Sequence, residues 1–81
     1  MKKLPLVLIT WQDAHAGGGG WLSIEKVSAQ QSLPHLCYTV GWVIHRDRYS
    51  LIVAQNRSYD GDVSDTMTIP LGCIRKTERL Q

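Results

Sequence analysis

Four side chains of this sequence carry the donor types that hold metals. His35 and Cys37 stand two residues apart, His45 follows further on, and Cys73 lies near the C-terminal end. Zinc would need four such ligands converging tetrahedrally at about 2.0–2.3 Å. Residues 35, 37 and 45 share one parity of a single stretch, yet His35 and His45 would lie roughly 33 Å apart on a straight strand. The pair His35-x-Cys37 alone does not make a site. No metal and no cofactor are expected, and both cysteines read as reduced thiols of a cytosolic protein.

Other chemistry is equally thin. Asp60, Asp62 and Asp65 crowd around Gly61, but a calcium loop needs ligands at positions 1, 3, 5 and 12 with glycine at 6. Here glycine comes second, so the segment reads as an acidic hairpin turn. Cys37 beside a histidine is a nominal nucleophile, but it falls mid-strand, where thiols are usually inert. Neither G-x-S-x-G nor H-E-x-x-H occurs, so the chain is not expected to be an enzyme. Gly17 to Gly20 free backbone N–H groups ahead of Ser23, as phosphate-cradling loops do. No lysine stands in the G-K-[ST] position. The run therefore reads as a loop tip, with an anion contact as the alternative.

The aromatic residues point further. Phenylalanine is absent, while there are three tryptophans and three tyrosines. Indoles favour places where one face is apolar and one end is wet. Trp42 follows the parity expected of the core. Trp21 adjoins the glycines, and Trp11 closes a strand at the same mouth. With Arg57 and Tyr59 in a long loop and Arg48 in a charged connection, these residues form the expected ligand-binding set: Trp11, Trp21, Arg57, Tyr59 and Arg48. Such a set stacks a planar, nucleotide-like ligand and pairs its phosphates; the alternative is that the aromatics plug the barrel ends or a subunit interface. Arg75, Lys76 and Arg79 line the last strand, with Arg46 and Arg48 in the hairpin; they read as a solvated face, with a phosphate-touching patch as the alternative.

The elements that must position these residues are short. Residues 6–11 are β-branched and apolar on both faces, which suits a buried first strand. The lysines before them and Ala14-His15-Ala16 after them imitate a secretory signal, but Pro5, Gln12 and Asp13 oppose that reading. Ser23 can cap one or two helical turns reaching about Gln30, with Ile24 and Val27 facing inward. In residues 36–44 Leu36, Tyr38, Val40, Trp42 and Ile44 alternate with Cys37, Thr39, Gly41, Val43 and His45. Residues 49–54 resume as a strand after Arg46-Asp47-Arg48, and residues 63–69 form a fourth. Pro70 stops that strand because proline cannot donate to a ladder. Residues 73–80 are the fifth. Five strands, a small helical insertion between the first two, and a one-turn break before the last predict an SH3-like barrel. That barrel is a single domain over residues 1–81.

Length and charge bound the function. Eighty-one residues carry nine Lys/Arg against seven Asp/Glu, for a net charge of +2, and the pI is near 8.7. Dedicated DNA binders usually show a basic stripe and a pI above about 9, so nucleic acid is a weak candidate. No stretch approaches the ~18 apolar residues of a membrane span. Burial worth on the order of 125 kcal/mol faces an ordering cost of about 120 kcal/mol. So narrow a margin predicts a homo-oligomer, in which copies share apolar surface.

Trp11-x-Asp13-Ala14, Gly20-Trp21, Val40-Gly41-Trp42-Val43-Ile44 and Met67-Thr68-Ile69-Pro70-Leu71-Gly72-Cys73-Ile74 resemble a family of very small phage and prophage proteins. Its frame runs W-x-D-[AS], G-W, V-G-[WF] and IP-x-G-C-I over nearly the whole chain. Gly17 to Gly20 is longer than the family's usual linker. The resemblance carries no assigned chemistry and implies a phage setting and the host cytoplasm. A binding module that sequesters a nucleotide-like defence signal, as other tiny oligomeric phage proteins do, is the leading expectation. The alternative is an SH3-like adaptor for nucleic acid or protein.

Overall fold

The computed structural model describes residues 2–14, 19–29 and 34–81. Among these, β1 (Leu6–Asp13), β2 (His35–Arg46), β3 (Ser50–Arg57), β4 (Val63–Pro70) and β5 (Ile74–Arg79) build one antiparallel sheet. The order across it is β4-β3-β2-β1-β5. The mainly β character follows the alternation of the sequence. β4 and β5 are the two sheet edges and do not pair, so the sheet is open and closure into a barrel is not seen.

The connections have local causes. Asp47 Oδ1 accepts hydrogen bonds from the Tyr49 and Ser50 N–H groups at 2.8 and 2.9 Å, which turns β2 into β3. Gly61 takes a φ of +96° in the next turn, a conformation that costs glycine no steric penalty, and donates to Ser58 O at 3.1 Å. A 3₁₀ turn at Leu71–Cys73 follows Pro70 and leads into β5. It is tied back by the Leu71 N–H, which donates to Tyr49 O at 2.9 Å.

Between β1 and β2 lies a five-residue helix, α1 (Ile24–Ser28), with Ser23 Oγ accepting from the Lys26 N–H at 3.2 Å. The inward orientation expected for Ile24 and Val27 does not hold: they are 81% and 50% exposed. A helix this short presents too little surface to dock alone. Gly17, Gly18 and the expected helix end at Gln30 lie outside the described residues.

The core consists of Val7, Ile9, Leu51, Val53 and Ile69, with Trp11, Val43, Met67, Leu71, Cys73 and Ile74 packed against it. Fully burying five aliphatics supplies on the order of 10 kcal/mol, a small core. The parity expected of β2 is reversed. Thr39 and Gly41 face the core, while Leu36, Tyr38 and Val40 stand exposed and Trp42 is half-buried. The neighbouring strands explain the reversal. β1, β3 and β4 already fill the centre of the interior with large side chains, so β2 contributes Thr39 and Gly41 there, with Val43 packed beside them. Gly41 sits so close to β3 that a Cβ there would meet Ala54 O at 2.9 Å and Val53 Cβ at 3.2 Å.

The larger apolar set of β2 is thereby turned outward. The chain exposes 6565 Å², against about 4,900 Å² for a compact chain of its mass.

Candidate functional site

Where β1 begins and β5 ends, the chain leaves a groove of about 690 Å³ lined by Lys2, Lys3, Leu4, Pro5, Trp42, Arg57, Arg79 and Gln81. Its walls follow from the register. Leu6 pairs with Trp42, and Val7 pairs with both Gly41 and Arg79. Trp42 is therefore brought to the start of β1 and Arg79 alongside it. The backbone is pinned there by Val43 N–H donating to Pro5 O at 2.8 Å and Leu6 N–H donating to Gln81 O at 3.1 Å.

The electrostatics are one-sided. Lys2, Lys3, Arg57 and Arg79 are four of the nine basic residues of the chain, and no Asp or Glu is among the described lining residues. Arg57 lies over the Trp42 ring, its guanidinium carbon 5.6 Å from the centroid. It also donates to the Lys2 carbonyl. Arg79 Nε donates to Gln81 O at 3.0 Å. The Trp42 indole face and the Lys2 carbonyl orient the Arg57 guanidinium without neutralising it. Among the described residues neither arginine pairs with an Asp or Glu side chain; the ion pairs there include His45–Asp47 and Lys76–Glu78. The groove can therefore offer two arginine forks and two ammonium groups to an anion, beside an indole face.

Of the residues expected to bind ligand, Arg57 lines this groove and the others lie elsewhere. Trp11 is half-buried against the core, its Nε1–H donating to Thr39 Oγ1 at 2.9 Å. That bond removes the polar cost of burying an indole, so Trp11 serves as packing. Trp21 is fully exposed and Tyr59 is 92% exposed; neither lines the groove. Arg48 stacks on Tyr49 at 4.8 Å, in the turn before β3. About 25 Å of strand separates it from Arg57 at the far end. The expected five-residue set is not brought together.

Trp42, Arg79, Lys2 and Lys3 complete the groove instead. Trp42 is hard to find by alternation alone because its parity looks like core. The lysines could have been found from Lys2-Lys3, an unneutralised pair before a strand.

For metal ligation, His45 is turned to Asp47 at 3.3 Å. The cysteines are free and half-buried. Asp13, His35 and Cys37 place one ligand atom each within 4.8 Å of one another. No helix among the described residues is long and apolar enough to cross a membrane.

Comparison with protein-family models, curated proteins and solved structures gives no match to this chain.

Proposed function

We propose that this protein is a non-enzymatic binding module that captures a phosphorylated, nucleotide-like ligand in the groove of Lys2, Lys3, Trp42, Arg57 and Arg79. The observation that carries this reading is Arg57 held over Trp42 with no carboxylate partner among the described residues. Groove volume agrees, since small-molecule sites run about 300–1,000 Å³. A base stacks against the Arg57–Trp42 pair while Arg79 pairs with phosphate oxygens and the lysines add charge. In the phage setting that the sequence frame implies, capture of a host signalling nucleotide in the host cytoplasm is the corresponding role.

The working unit is a homo-oligomer. Trp21, Leu22, Ile24 and Val27 are 100%, 55%, 81% and 50% exposed on one segment. Leu36, Tyr38 and Val40 are 45%, 69% and 47% exposed on the outer face of β2. If the two surfaces cover each other reciprocally between copies, they remove on the order of 1,000 Å² of mainly apolar area per copy, enough for a stable dimer. The SH3-like barrel belongs to the same proposal: strand order and the 3₁₀ turn before the last strand support it.

Calorimetry with cyclic dinucleotides, cyclic ADP-ribose isomers and a single-stranded oligonucleotide separates the readings. Saturable binding of a small nucleotide supports capture. Binding of the oligonucleotide alone, weakening steeply with salt, assigns the groove to an adaptor for nucleic acid. Silence across the panel removes both.

A further inference from the structure

The end of the β1–β2 hairpin lies away from the basic groove and carries a different set of donors. In the ladder Asp13 pairs with His35 and Trp11 pairs with Cys37. Positions 13, 35 and 37 therefore share one face of the sheet, because alternate residues of a strand point the same way. Their ligand atoms, a carboxylate oxygen, an imidazole nitrogen and a thiol sulfur, all lie within 4.8 Å of one another. Donors around a tetrahedral zinc stand about 3.2–3.8 Å apart, so each must move by about 1 Å or less. Asp13 and His35 are exposed and Cys37 is half-buried, so the adjustment falls on the two outer side chains. Asp13 Oδ1 accepts a hydrogen bond from the Ala14 N–H at 2.8 Å. The bond steadies the carboxylate.

We infer that Asp13, His35 and Cys37 form a binding site for a zinc-class divalent cation, with three protein ligands and an outward position for water or an external donor. Sulfur and nitrogen beside one carboxylate favour zinc over the all-oxygen cations magnesium and calcium. The site does not depend on His45 or Cys73: His45 turns to Asp47, and Cys73 packs against the core. It is independent of the nucleotide reading, since none of its residues lines the groove.

Cobalt(II) reports the ligands directly. The protein, cleared of metal by a chelator and kept reduced with a phosphine, is titrated with cobalt(II), and zinc is then used to displace it. The expected spectrum shows a sulfur-to-cobalt charge-transfer band with tetrahedral d–d bands, both abolished by zinc. Cys37→Ser removes the charge-transfer band and Cys73→Ser retains it. Asp13→Asn and His35→Gln each weaken the apparent cobalt affinity by about tenfold or more. All four variants are checked for the wild-type circular dichroism spectrum. A missing charge-transfer band, one that survives Cys37→Ser, or one lost in Cys73→Ser would overturn the assignment. Unchanged affinity in both Asp13→Asn and His35→Gln would overturn it too.

Discussion

Trp42 and Arg57 are fifteen positions apart in sequence, on β2 and β3, and meet as a stacked pair with the guanidinium 5.6 Å from the ring centroid. The pair holds a positive charge at the mouth of the groove without cancelling it. Such a contact is worth about 0.5–1 kcal/mol to the fold when exposed. It therefore adds little to stability and more to presenting charge.

Trp11 is a structural residue. Its indole packs on the core and donates to Thr39 Oγ1. Thr39→Val leaves that N–H without its partner and costs about 1–3 kcal/mol. Thr39→Ser retains the hydroxyl and costs less. Urea unfolding followed by circular dichroism measures both; equal losses would count against the hydrogen bond.

Gly41 holds β2 against β3. The Cβ of Gly41→Ala would press on the Ala54 carbonyl at 2.9 Å, and backbone cannot swing aside as a side chain can. Overpacking of this kind costs about 1–3 kcal/mol. A lowered unfolding midpoint in urea is expected, and a midpoint equal to wild type would show that the strands separate without cost.

Asp47 gives the hairpin turn an acid-sensitive element. Hydrogen bonds from the Tyr49 and Ser50 N–H groups, with a smaller contribution from His45, hold its carboxyl below the usual carboxylate value. A depressed folded-state pKa stabilises the fold above the unfolded-state value. That contribution is lost as pH falls through the folded-state value. The stability gap between wild type and Asp47→Asn should be constant near neutrality and close below about pH 4. Unfolding midpoints measured from pH 7 to pH 2 test this; a gap that stays constant throughout would remove the carboxylate from the effect.

The outer face of β2 is the proposed contact between copies. Tyr38→Lys with Val40→Lys places two charges on exposed positions of that face, so the monomer fold should survive. Sedimentation equilibrium is expected to show a multimer for wild type and a monomer for the double variant. A monomeric wild type at tens of micromolar (about the concentration where weak interfaces fail) would remove the shared-surface proposal.

Features with local causes were legible in the sequence. Asp47, Ser23, Gly61 and Pro70 each act within a few residues of themselves, and the strands they bound fall close to the expected places. The inward face of β2 was not legible. Leu36, Tyr38, Val40 and Trp42 form the more apolar set, but the volume left by β1, β3 and β4 decides the matter. That volume depends on contacts distant in sequence. The candidate site divides in the same way. Arg57 was recognisable as a basic residue near aromatics, whereas its partner Trp42 looked like core and Arg79 like a solvated face. Asp13 was not counted beside His35 and Cys37 because only the antiparallel register brings it there.

Titration calorimetry comparing wild type with Arg57→Gln and Trp42→Ala, using the tightest small nucleotide of the panel, addresses capture by the groove most directly. We predict one ligand per groove, with affinity falling as salt rises. Each substitution should weaken binding by about tenfold or more, since a charge-assisted bond or a stacked base is worth about 1–3 kcal/mol. Wild-type affinity retained in both folded variants would contradict the account.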